Sequence, residues 1–181
     1  MYRVFVRLGF RKKVESTKKK SKHLGKYETP ETIGEKWQMD VKYVPKACDS
    51  RDEKEQYYQY TVIEEASRKR FIYAYKEQSS YSTVDFLKRA IVYFGYAPNI
   101  LQTDNGGEFT HTQKTKRTHP LDVFCNAYGI VHNTIRPRTP WHNGKVERSH
   151  RNDQERFYNH LNFYSFNDLQ EQMKRYLYRS N

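Results

Sequence analysis

The sequence is poor in cysteine, in long apolar runs and in acidic residues, and each shortage removes a class of protein. Only Cys48 and Cys125 are present, far apart, which excludes a disulfide framework and leaves no compact thiol set for structural zinc. Two free thiols suit a reducing cytoplasm, and a single disulfide stays open. No apolar run approaches bilayer-spanning length, and the N-terminus lacks the apolar stretch of a secretory signal. The expected setting is cytoplasmic, with no membrane partner. Hydrophobic residues make up only 36% of the 181, but 16 Tyr and 10 Phe supply large side chains for one packed domain. Acidic residues number 21 against 33 Lys and Arg, a net charge of +12. The excess is uneven: residues 1–30 hold ten Lys or Arg against Glu15 and Glu28, +8 of the total. Such an arm fits a polyanionic partner, most commonly a phosphate backbone, and fits equally a solvated tail.

No internal repeat divides the chain. Tyr2, Val4, Phe5, Val6, Leu8 and Phe10 read as the end of a helix whose body lies upstream, in a longer protein. Residues 11–26 read as a charged linker. Trp37, Met39, Val41 and Tyr43 alternate with Gln38, Asp40 and Lys42, the period of a half-buried strand. A polar loop is expected over 45–56, then a hairpin of Tyr57–Glu64 and Phe71–Tyr75. Ser82 and Asp85 predict a helix start, with Val84, Leu87, Ile91 and Phe94 on its inner face and Gly95 at its end. Asn99–Asp104 reads as a strand broken by Asn105-Gly106-Gly107. Pro120 opens a helix stopped by Gly129, Ile130–Ile135 is a strand, a charged helix runs over about 143–161, and Ser165 with Asp168 caps a last amphipathic helix. Three strands in succession and then strands alternating with helices predict an α/β fold, a mixed five-stranded sheet flanked by helices.

Three carboxylates occupy special places in this pattern. Asp40 is mid-strand on the polar face, Asp104 ends a strand before a glycine turn, and Glu147 lies early in a helix, where the dipole favours an ionised acid. Strand carboxyl ends and helix N-termini are where ligands gather in such sheets. Three acids without a His or Cys set suit hard cations, Mg²⁺ or Mn²⁺, and a pair of ions would serve phosphodiester chemistry. The competing reading is an edge residue, a turn former and a surface charge; spacing alone does not choose.

Trp37-Gln38-Met39-Asp40, Thr103-Asp104-Asn105-Gly106-Gly107-Glu108-Phe109 and Thr139-Pro140-Trp141-His142-Asn143-Gly144-Lys145-Val146-Glu147-Arg148 resemble the three signature blocks of the integrase core. The chain is similar, over roughly residues 31–181, to bacterial insertion-sequence transposases with an Asp-Asp-Glu triad, which share that core with retroviral integrases. The resemblance implies a ribonuclease H-like fold, Asp40, Asp104 and Glu147 as the catalytic, metal-binding triad, two Mg²⁺ or Mn²⁺ ions as cofactors, and DNA cleavage at element ends followed by strand transfer into target DNA. It implies a homo-oligomer on DNA in a bacterial cell. Residues 1–30 become the remnant of an upstream DNA-binding segment and 31–181 the catalytic core. Forty-two residues separate Asp104 from Glu147, more than in many relatives, and the excess is assigned to His111–His119.

Around the triad, Asn143 and Gly144 fall where the family has a mobile loop, and Asn143 is read as a helix cap or a DNA contact. Lys145, Arg148 and Arg151 are read as DNA contacts, Arg151 as a phosphate clamp one turn beyond Glu147; a helix-surface pair with Glu147 or Glu155 is the alternative. Glu108 is assigned to the turn. His111, His119, His132, His142, His150 and His160 lack the compact spacing of a zinc site, and His142 and His150 are read along the DNA path. The Tyr and Phe clusters at 68–76 and 156–164 are read as core. Two other functions remain beside strand transfer: a nuclease of the same fold that cleaves without joining, and an inactive DNA-binding module.

Overall fold

The computed structural model describes residues 29–52, 54–111, 113, 115, 117–135 and 143–181. The expected helix remnant at Tyr2–Phe10 and the linker 11–26 lie outside these residues. Five strands, β1 (Lys36–Tyr43), β2 (Tyr58–Glu64), β3 (Arg70–Tyr75), β4 (Ile100–Thr103) and β5 (Val131–Thr134), form one sheet in the order β3-β2-β1-β4-β5. The first three pair antiparallel, and β4 and β5 add in parallel. The helices are α1 (Ser80–Phe94), α2 (Pro120–Ala127), α3 (Gly144–Arg156) and α4 (Phe166–Ser180).

Period-two alternation decides which side chains go where. Trp37, Met39, Tyr60, Val62 and Leu101 pack beneath Phe86, Leu87 and Ala90 of α1 and Leu121 and Cys125 of α2. On the opposite face, Ile72 and Ala74 pack against Leu169, Met173 and Leu177 of α4. Cys48 and Cys125 are both free and buried, in separate cores, so the open disulfide is not formed. Gln170 and Asn181, at the two ends of α4, hydrogen-bond both the N–H and the C=O of Ala74 and of Arg70. Their amides close an edge strand that would otherwise offer its backbone to another chain.

Helix boundaries differ from the sequence reading in two places. The α1 cap is Ser79, whose Oγ accepts from Ser82 N–H at 3.2 Å, so the helix starts before the expected Ser82. Its inner face centres on Thr83, Phe86, Leu87 and Ala90. The charged helix ends at Arg156, because Phe157 leaves helical geometry (φ −122°, ψ −62°) and a short 3₁₀ turn follows at Tyr158–His160.

Candidate active site

Parallel pairing sets the first two acids side by side. Gln38 of β1 lies opposite Gln102 of β4, and Asp40 and Asp104 each stand two residues further along, Asp104 just past the end of β4. Asp40 Oδ1 accepts from Val41 N–H at 2.9 Å. Asp104 Oδ1 accepts from Gly106 N–H at 2.9 Å, the local bond that makes Asp a turn former. Asn105 Nδ2 donates to Ile135 C=O at 2.9 Å, tying the turn to the end of β5. Behind it, Thr103 Oγ1 donates to Asp104 C=O and also meets His132 Nε2, both at 2.9 Å, while His132 Nδ1 meets Asp122.

The third acid comes from α3, whose inner side is polar rather than apolar: of its residues only Val146, Ser149 and Asp153 are buried. Gln38 holds its start. The Oε1 of this side chain accepts from Lys145 and Val146 N–H, at 3.2 and 3.3 Å, satisfying two of the first-turn donors. Gln38 Nε2 in turn donates to Glu65, a fully buried carboxylate that also receives the ammonium of Lys145 and lies 3.6 Å from that of Lys36. Further along, Asp153 pairs with Arg70 across the sheet. Glu147 is thereby carried, exposed, on the first turn of a helix fixed at both ends to the strands.

Electrostatics registers the convergence. Burial, then the charge of Asp104, and more weakly those of Glu147 and Glu108, push the Asp40 carboxyl up to about 7, against the opposing pull of Val41 N–H. Among the described residues, however, no three His, Cys, Asp or Glu side chains are gathered at metal-binding distance. His150 Nδ1 stands 3.4 Å from Asp40 Oδ2. Burial and then the Lys42 charge press this imidazole down to about 4, so the contact is a neutral dipolar one and not an ion pair.

The other expected residues are distributed as follows. Asn143 is buried but makes no side-chain cap, and its Oδ1 has no partner among the described residues. Gln38 performs the capping instead, because it reaches the helix start from the strand below. Lys145 turns its ammonium inward to Glu65 and to Thr29 rather than outward. Arg148, Arg151 and Glu155 are exposed, and no Arg151 ion pair with Glu147 or Glu155 forms among the described residues. Glu108 folds over Gly106 and accepts from Gln78. His142 lies outside the described residues, as do Thr139, Pro140 and Trp141 of the third block. Gln38 and Glu65 carry no role of their own in the sequence reading, and His150, read there along the DNA path, stands against Asp40. Only two signals existed: Gln38 shares Asp40's strand face, and His150 is three residues from Glu147 on one helix.

Comparison with known proteins follows the same lines. An integrase core domain family model matches residues 31–140, and a second integrase core domain model matches 128–181. A putative integrase of a Spiroplasma virus is 35% identical over 125 residues, 64% of this chain and 34% of that protein. The retrovirus-related Pol polyprotein from transposon TNT 1-94 of Nicotiana tabacum is 34% identical over 93 residues, 50% of this chain and 6% of that protein. The chain thus spans about a third or less of the length of these relatives. Among solved structures, the HTLV-2 integrase catalytic core domain in complex with magnesium superposes with a TM-score of 0.59 at 21% identity, covering 82% of this chain and 85% of that one. A simian T-cell lymphotropic virus intasome chain gives 0.64 at 20% identity, covering 82% and 50%. At these identities the likeness is one of fold, the ribonuclease H-like sheet with flanking helices.

Proposed function

The chain belongs to the integrase core domain family, and from that premise we propose that it is the catalytic core of a transposase or integrase that cuts DNA ends and joins them to target DNA. Asp40, Asp104 and Glu147 are its metal-binding acids, for two Mg²⁺ or Mn²⁺ ions. The observation that carries the reading is that β1, the end of β4 and the start of α3 bring Asp40, Asp104 and Glu147 near enough for the charges of the last two to add to burial in raising the Asp40 carboxyl to about 7. The donor set fits hard divalent cations, being oxygen-only and mutually repulsive until a cation enters. When bound, such ions stabilise the negative charge developing on the attacking and leaving oxygens of a phosphodiester.

The chain's own residues supply position. Asp40 is fixed on a central strand, Asp104 is oriented by Gly106 N–H, and Glu147 is set by the Gln38 cap of α3. Arg151, on the Glu147 side of α3, and Arg148, further round the helix, hold DNA phosphates without reading sequence; Asn143 belongs to the Glu147 edge, and Lys145 stands beside it with its ammonium on Glu65. Residues 1–30 are a basic arm and 31–181 the core. Assembly as a homo-oligomer on DNA draws support from the trimeric and dimeric forms of the HTLV-2 core. Among the described residues no helix is long and apolar enough to cross a membrane.

Mn²⁺ titration followed by electron paramagnetic resonance is expected to show binding that Asp104→Asn removes. Incubation with labelled element ends, target DNA and Mn²⁺ is expected to yield joined product; cleavage with no joining would favour a nuclease of the same fold, and Mn²⁺ binding untouched in Asp104→Asn would overturn the triad. Deleting residues 1–26 is expected to weaken DNA binding at low salt and flatten its salt dependence. An unchanged slope would make the arm a linker only.

A further inference from the structure

On the side of α3 turned away from Glu147 lies a cavity of about 460 Å³ whose wall carries Arg68, Arg70, Lys145, Arg148, Asn152 and Arg156 and, among the described residues, no Asp or Glu. Arg148, Asn152 and Arg156 recur every four residues, a stripe centred roughly 140° around the helix from Glu147. Two of the five cations are matched from within: Arg70 by the buried Asp153, Lys145 by the buried Glu65. The charges of Arg68, Arg148 and Arg156, all exposed, enter no ion pair among the described residues. Three like charges facing one concave wall repel, and the field they focus is discharged by an anion.

Arg68 adds a separate observation. It sits in the β2–β3 turn at φ 65°, a left-handed conformation that suits Gly or Asn and strains other residues by about 1 kcal/mol. The turn itself is closed by bonds that do not need a guanidinium: Arg68 N–H donates to Glu64 C=O at 2.9 Å, and the Glu64 carboxylate receives Ala66 and Ser67 N–H. A long cation held in a strained position at the rim of a basic cavity marks a ligand-facing role.

We propose that this cavity is a second phosphate-binding site, taking the backbone of a nucleic-acid segment other than the one at the carboxylates. Arginine forks match phosphate oxygens in pairs. The stripe from Arg148 to Arg156 is ~12 Å long, too long for one phosphate group and matched to a strand that carries a charge every ~3.4 Å of its axis. The choice of occupant rests on the reading of the chain as a DNA-handling protein; it does not rest on the triad.

The test uses Arg68→Asn/Arg156→Gln, beside Arg68→Lys/Arg156→Lys and Asp104→Asn, in fluorescence-anisotropy titrations of a 30-base-pair duplex over a salt series in EDTA. The neutral double variant is expected to lower the slope of log affinity against log salt by about 2, while the lysine pair and Asp104→Asn keep the wild-type slope. Equal slopes in the neutral variant and the wild type would overturn the site. A second arm titrates inorganic phosphate and pyrophosphate against the arginine side-chain NMR signals. Tight, saturable pyrophosphate binding with an unchanged duplex slope would identify a small-anion pocket and overturn the nucleic-acid occupant. Loss of Mn²⁺ binding in Asp104→Asn is read separately, so the failure of one reading does not imply that of the other.

Discussion

Asp40→Asn is expected to make the metal-free protein more stable at pH 8, by about 1–3 kcal/mol, and at least about a thousandfold less active with metal. Folding raises the Asp40 carboxyl from 3.8 to about 7, so between those values the folded chain holds a proton that the unfolded chain has released. The penalty is absent below pH 4, grows as pH rises through the window, and is complete above 7. A three-unit shift corresponds to at most about 4 kcal/mol, reduced here because Asp40 is partly exposed. Asparagine keeps an acceptor for Val41 N–H and removes the charge. His150 acts with the opposite sign: its lowered pKa removes stability as pH falls from 6.5 toward 4, which masks part of the Asp40 effect in the wild type alone. The difference between variant and wild type isolates Asp40. Denaturant unfolding at pH 5 and 8, with and without Mg²⁺, is expected to show a gap that opens at pH 8 and closes when Mg²⁺ binds the wild type. A gap that is the same at both pH values would remove the electrostatic account of the site.

What could be read from the sequence was local. Alternation around Asp40 gave β1, the Asn-Gly-Gly break placed Asp104 just past β4, and Ser165 with Asp168 gave the start of α4, where Ser165 Oγ accepts from Asp168 N–H at 3.1 Å. What could not be read was the long-range polar pairing. Glu65 looks like a turn charge, and nothing near it in sequence indicates that it is buried beneath Lys145, eighty residues away. Arg70 and Asp153 likewise lie 83 residues apart. Polar contacts follow no period, so α3 shows no apolar stripe from which to read its inner face or its end at Arg156. Ser79 and Ser82 are both plausible caps by residue type, and only the backbone settles which one accepts the bond. Lys145 is a case of the same kind, since no neighbour in sequence indicates that its ammonium meets the buried Glu65.

Asp153→Ala is expected to destabilise the protein by about 3–5 kcal/mol and to lower its melting temperature by roughly 10 °C. Asp153 is fully buried, pairs with the Arg70 guanidinium, and accepts from Gln59 Nε2 at 2.8 Å and Tyr176 Oη at 3.0 Å. Removing it strands a buried cation whose other bonds, to Ser149 and Ser180 at 2.8 Å, are to neutral hydroxyls. Replacing both charges, Arg70→Met with Asp153→Leu, leaves no charge stranded, although Gln59 Nε2 and Tyr176 Oη lose an acceptor, and is expected to recover part of the loss. The pair does more than hold weight, however, since Ser149 and Asp153 are two of the three buried residues of the helix that carries Glu147. A double variant with partly restored melting temperature but reduced strand transfer and unchanged DNA affinity would place the network in the positioning of Glu147. Loss of less than 1 kcal/mol in Asp153→Ala would mean that water, not the ion pair, satisfies Arg70, and that α3 is held by the Gln38 cap alone.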